Sequence, residues 1–209
     1  MFDCDPIKVM LRLISGLLFV LGLTQALGAQ SSGVLIVLIG PPASGKTTQA
    51  QILQKERGLA IISVEDLIAQ NLQSFQKFAR PEIQGVEPRL DPVLNRLVAE
   101  RLRSIDRSKG VILDGYPAAK EQGDHLTSLM AEFGFGPPVV LQLRLDDAEV
   151  RRRSAKSSGG DVEQGLKDYH RELDFAKTYF PQANIHEIDG SKPPAEVAKE
   201  IRQVLASKK

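Results

Sequence analysis

The stretch VLIVLIGPPASGKTTQAQIL, residues 34–53, decides the fold. Six apolar residues, Val34 to Ile39, run without a polar break into a glycine-proline turn. That is the pattern of a strand buried on both faces. Gly40 to Thr47 then fits G-x-x-x-x-G-K-[ST]. Small residues let backbone N–H groups converge on an anion, and the N-terminus of a following helix adds partial positive charge. Lys46 can reach the β- and γ-phosphates of a nucleotide, and the Thr47 hydroxyl can coordinate Mg²⁺. The strand before and the helix after are the context the pattern requires. The segment is expected to hold a phosphate.

Outward from this loop, strand and helix patterns alternate. A helix is expected from Gly45 to Glu56 and a short strand at AIIS, residues 60–63. Ser63, with Asp66 three residues on, forms a capping box for a helix from Val64 to about Gln73. LDPVLNRLVAERLRSI (residues 90–105) is amphipathic, with Leu94, Leu97, Val98, Leu102 and Ile105 near one face. GVILDGYP (110–117) is a strand ending in a turn, and a helix follows from Ala119 to Phe133. PPVVLQLRL (137–145) makes a fourth strand and DAEVRRRSA (147–155) a basic helix. After the break SSGGD come the helix VEQGLKDYHRELDFAKTYF (162–180), the strand NIHEID (184–189) and the proline-opened helix PPAEVAKEIRQVLA (193–206). Five strands alternating with helices predict an α/β fold: a parallel sheet with helices on both faces, in three α/β/α layers.

Composition bounds the function. The chain has 209 residues, 42% of them hydrophobic, enough for one well-filled core. Its 27 basic and 26 acidic residues leave a net charge of +1, without the basic surplus of a dedicated nucleic-acid binder. The N-terminus differs. Lys8 and Arg12 precede the uncharged run LISGLLFVLGL (13–23), and the small, polar TQALGAQSSG follows. Residues 1–29 therefore read as a secretory signal, with cleavage after Ala26 or Ala29, or as a membrane anchor. An apolar helix packed on the domain is the remaining alternative. Export or membrane tethering is expected, with a cytoplasmic location the alternative. Cys4, the only cysteine, lies in this segment, so the remainder can hold no disulfide or cysteine-zinc site. His125, His170 and His186 show no metal-ligand spacing, and no Ser-His-Asp or Cys-His arrangement can be argued.

VILDG (111–115) supplies the partner of the phosphate loop. An apolar strand carrying Asp114 to its C-terminal end is what a magnesium-water acceptor needs, because ligands of open α/β sheets lie beyond the carboxyl ends of strands. A turn residue or helix cap is the plainer reading of that acid. With both pieces in place, the chain resembles the adenylate kinase family of nucleoside monophosphate kinases from Val34 to Leu205. GPPASGKTTQAQIL resembles its nucleotide loop, and ISVEDLIAQ the start of its monophosphate-side helix. LDGYP is similar to its D-G-[FY]-P-R motif and DGSKPPAEV to its adenine-side turn.

The resemblance implies a P-loop domain over residues 30–209, with an acceptor-side segment at 63–92 and a short lid near 153–163. It implies an ATP site of Gly40, Ala43, Ser44, Gly45, Lys46, Thr47, Thr48, Arg153, Asp189, Gly190, Ser191 and Lys192. Thr47 and Asp114 would handle Mg²⁺, and Lys46, Arg153 and Asp114 would be catalytic. Asp66, Gly115 and Gln122 fall on the acceptor side. ATP and a nucleoside monophosphate, AMP by default, are the implied partners, acting on a monomer.

The acceptor side also departs from the family pattern. Ala69 and Ala118 stand where arginines are expected, Ser157 replaces a lid arginine, and KSSGGDVEQG (156–165) replaces the segment that carries others. One arginine on the transferred group is worth ~10³–10⁵ in rate. Arg80, Arg89 and Lys156 are the named candidates to substitute, each also readable as surface charge. Two rival readings follow: a kinase of a small hydroxylated acceptor with Asp66 as proton acceptor, and an ATP-binding module with weak transfer activity.

Overall fold

The computed structural model describes residues 33–73, 91–155 and 161–207. The signal or anchor reading of residues 1–29, and the candidates Arg80, Arg89, Lys156 and Ser157, lie outside these residues.

Strand β1 (Val34–Ile39) is buried over all but its first residue, as its unbroken apolar run requires. It leads into α1 (Lys46–Arg57), β2 (Ala60–Ser63) and α2 (Val64–Gln70). Then come α3 (Asp91–Ser104), β3 (Gly110–Asp114), α4 (Lys120–Phe133), β4 (Val139–Arg144), α5 (Asp147–Ser154), α6 (Val162–Tyr179), β5 (Ile185–Asp189) and α7 (Pro194–Ala206). The five strands form one parallel sheet in the order β2-β3-β1-β4-β5. The central strands are the apolar runs, whereas the edge strands β2 and β5 carry the partly exposed residues.

Side chains alternate across a strand, and this divides the core in two. Leu35, Val37 and Ile39 face Val98 and Leu102 of α3, Leu126 and Leu129 of α4 and Tyr169 and Ala176 of α6. Ile36 and Leu38 face Ala50 and Leu53 of α1 and Val197, Ile201 and Leu205 of α7. The three-layer α/β/α architecture expected from the strand and helix alternation is the one observed. In the register of the sheet, Asp114 pairs with Leu38 on one side and Ser63 on the other. The phosphate loop, Asp114 and the start of α2 therefore all emerge at the same carboxyl edge.

Most boundaries follow from caps. The Ser63 side chain accepts from the Asp66 N–H, as the capping box predicts, and Asp161 accepts from Glu163 and Gln164 to open α6. Two details differ from expectation. Helix α2 stops at Gln70, where the Asn71 side chain takes over the Leu67 carbonyl at 2.9 Å. A 3₁₀ turn at Gln182–Asn184 precedes β5, closed by Asn184 N–H on the Pro181 carbonyl.

Candidate functional site

The phosphate loop is a tight backbone cup. Ala43 has φ +57° and Gly45 φ +95°, and Ser44 N–H closes a turn on the Pro41 carbonyl at 3.2 Å. At Gly40 a Cβ would meet Ser44 Oγ at 2.7 Å and the Leu143 carbonyl at 2.9 Å, so the loop can fold this closely only on glycine. Helix α1 begins at Lys46 with no side-chain cap, which leaves its first N–H groups open to an anion. The Lys46 ammonium donates to the carbonyls of Gly40 at 2.6 Å and Pro41 at 3.2 Å. It thus lies along the inside of the cup.

A cleft of about 790 Å³ opens from this loop. Lys46 and Thr47 line one part of it, Asp114 and Gly115 the end of β3, Ser63 and Glu65 the start of α2, and Ala118 the turn after β3. Burial pushes the Asp114 carboxyl up, against the pull of Lys46 and with the help of Glu65 and Asp66. A desolvated carboxyl and a hydroxyl on one cleft are hard oxygen donors of the kind that hold Mg²⁺. Asp114 and Thr47 therefore fit that ion.

Helix α6 closes the cleft with Gly165, Asp168, Tyr169 and Glu172. Glu172 did not stand out in the sequence. Its Oε1 is buried without a hydrogen-bond partner among the described residues. Burial pushes its carboxyl up to about 7, with Lys46 drawing it down and Asp114 driving it further up. The charge alternation of DYHRELD suggests a solvated face. The available signal is spacing: Glu172 lies three residues after the buried Tyr169 and four before the buried Ala176, on the apolar stripe of α6.

The three arginines of α5 separate by direction. Arg151 pairs with Glu163 at 2.7 Å and Arg152 with Glu149 at 2.6 Å, both on the outside. Arg153 turns inward. It pairs with Glu149 at 2.7 Å and donates to the carbonyls of Ala43, Gly190 and Ser191 at 3.3, 3.1 and 3.2 Å. With Ser44, Gly45, Thr48, Gly190, Ser191 and Lys192 it borders a second cavity of about 320 Å³, to whose lining α6 contributes no residue. Asp189 holds its turn by accepting from the Ser191 N–H at 3.0 Å and hydroxyl at 2.6 Å, and Lys192 pairs with Glu200. Asp189 itself is outside that cavity's lining.

Two acceptor-side candidates fall outside the described lining of the cleft. Asp66 does not line the cleft, because the capped first turn of α2 presents its neighbour Glu65 instead. Gln122 is buried and fully engaged: its Oε1 accepts from Ala118 N–H at 2.8 Å and its Nε2 donates to Asp91 at 2.6 Å. It braces the turn after β3 against α3 and does not line the cleft. Gly115 does line it. Ala118 contributes a methyl group to the wall where an arginine was expected, while Ala69 is exposed on α2 and outside the lining. The described residues contain no cluster of three or more metal-ligating side chains and no helix long and apolar enough to cross a membrane.

Comparison with known proteins agrees with this geometry. The family model for adenylate kinase matches residues 38–185. The chain is similar to the adenylate kinase of Mesorhizobium japonicum, at 31% identity over 82% of this chain and 96% of that protein. It is also similar to those of Micrococcus luteus, at 30% identity over 82% and 90%, and Thermobifida fusca, at 30% over 83% and 98%. A nucleotide loop at β1, an acid at the end of β3 and a likeness spanning nearly the whole length of these relatives make one conclusion: the chain belongs to the adenylate kinase family, the nucleoside monophosphate kinases, and is a nucleotide phosphotransferase.

Proposed function

We propose that this protein transfers the γ-phosphoryl group of Mg-ATP to a nucleoside monophosphate, AMP in the first instance. The observation that carries this reading is the convergence of Lys46 and Asp114 on one cleft, from strands paired in register at Leu38 and Asp114. The cup of Gly40 to Gly45 would hold the phosphate chain through backbone N–H groups and the N-terminus of α1. Lys46 would leave the carbonyls it now contacts and neutralise charge on the transferred group. Thr47 and Asp114 would hold Mg²⁺, which would neutralise charge developing on the phosphates. Arg153 and the turn Gly190–Lys192 would border the adenine side, in the second cavity.

The acceptor phosphate would attack from the Ser63, Gly115 and Ala118 side of the cleft. It is already an anion, so transfer to it needs no proton acceptor. The test is separation of products after mixing the protein and Mg-ATP with AMP, CMP, UMP, GMP or dAMP in turn. AMP-dependent ADP formation that disappears in Lys46→Ala is the expected result. Bound ATP with no diphosphate formed from any monophosphate would overturn the reading.

A further inference from the structure

Gln49 lies on the first turn of α1, which packs against α7, and no step of the reaction above uses it. The residue is 2% exposed. Its Nε2 donates to the Pro194 carbonyl at 3.0 Å, across the contact between the two helices. A carbonyl can only accept, so the amide cannot be reversed and Oε1 is fixed at its other corner. That oxygen has no partner among the described residues. A buried acceptor left unmet costs stability unless something bound meets it. Gln49 lines the second cavity, beside Thr48, Arg153 and Val197. At about 320 Å³ the space is at the low end for a small-molecule site and suits one ring system better than a whole nucleotide. Arg153 directs N–H groups in its own plane to Glu149 and to the Ala43, Gly190 and Ser191 carbonyls, which leaves the flat face of its guanidinium for a guest. An aromatic ring suits that face. An N–H donor on the edge of the ring suits Oε1.

We propose that Gln49 selects the base of the phosphoryl donor: its Oε1 accepts from the exocyclic amine of adenine, so the chain prefers ATP to purine nucleotides that carry a carbonyl there. The inference rests on the donor half of the function proposed above and names the residue that decides the donor's base. Adenine brings an N–H donor at its six position, where guanine brings an acceptor oxygen; hypoxanthine brings the same oxygen. Two acceptors set face to face leave both without a hydrogen, which is how a site built for a donor rejects its analogue. The contact that fixes the amide lies wholly between α1 and α7, and the selection requires no charge on Gln49.

The test uses the full chain with Mg²⁺ and a fluorescent ATP labelled on its ribose, displaced in turn by ATP, purine riboside triphosphate and ITP. The three competitors differ at the six position, which carries an amine, a hydrogen or a carbonyl. The wild type is expected to bind ATP most tightly and ITP about 10–100-fold more weakly, with the purine riboside between them. Gln49→Met has a similar length and no amide acceptor, and should bring ATP and ITP close to equal affinity. An equal weakening of all three in that variant would overturn the inference and mark a packing role. ITP bound as tightly as ATP by the wild type would overturn it however the variant folds. The expected order of affinities without transfer to AMP would support the role of Gln49 and overturn only the transfer proposed above. No binding of the labelled ATP would overturn the donor reading and the role of Gln49 with it.

Discussion

At Glu172 a carboxyl group is buried beside Asp114 with Lys46 as the opposing charge, and this predicts a stability that depends on pH. Its folded value of about 7 lies above the ordinary 4.5. Between those values the folded state holds a proton that the unfolded state has released, so stability falls as pH rises from about 4.5 to about 7. The full loss is of order 3 kcal/mol, at ~1.4 kcal/mol per pH unit. Urea unfolding should show Glu172→Gln more stable than the wild type by about 2–3 kcal/mol at pH 8 and nearly equal to it at pH 5. The same difference at both pH values would contradict the burial of an ionisable group there. Ala43 offers a second check. With φ at +57°, it holds a backbone conformation that costs an L-residue about 1 kcal/mol or more, so Ala43→Gly should leave stability equal or higher despite the entropy glycine brings. The roles of Lys46 and Asp114 could be read in the sequence because each follows a strand by a fixed offset. Glu172 was harder to read: its spacing from Tyr169 and Ala176 puts it on the buried stripe of α6, but that it borders the same cleft as Lys46 and Asp114 follows only from tertiary packing.

The helices are bounded by specific side chains, and these give predictions of their own. Asp161 satisfies two N–H groups at the start of α6, so Asp161→Ala should cost about 1 kcal/mol in urea unfolding, and a change within error would show that α6 opens without it. Gln122 links the turn after β3 to Asp91 of α3. Gln122→Ala strands a buried N–H and should cost about 1–3 kcal/mol. A raised KM for AMP at unchanged stability would restore the adenine-reading role that its sequence position suggests. Element type was plain in the sequence because buried parallel strands are continuous apolar runs and because Ser63 announces the helix after it, whereas the cap at Asp161 emerged only in the structure. The orientation of Gln122 was not, since its two partners lie 4 and 31 residues away and become neighbours only through the packing of α3 on α4. The arginine run shows the same limit. Helical spacing puts Arg153 on a different face from Arg152, but only the sheet order places that face over the loop.

The molecule as a whole couples the nucleotide to its stability, because loop, β3 and α6 meet around one cleft. A ligand at about 100 times its Kd should add ~2.7 kcal/mol, seen as a Tm increase of about 5–11 °C with Mg-ATP that is lost in Lys46→Ala. We further propose that residues 1–29 route the chain across or onto a membrane. N-terminal sequencing of protein recovered from its native host should begin after Ala26 or Ala29 if the segment is a cleaved signal, and at Met1 if it is an anchor; recovery of Met1 from the soluble cytoplasmic fraction would contradict both. The central claim is that the cleft beyond β1 and β3 moves the terminal phosphoryl group of ATP to another molecule. The most direct measurement follows the label from ATP carrying ³²P at the γ position, with AMP present, in the wild type and in Lys46→Ala. Label appearing in ADP with the wild type, and falling by about 100-fold or more in the variant, is the predicted result. Label that stays in ATP while ATP is demonstrably bound, or that moves equally well without Lys46, would contradict it.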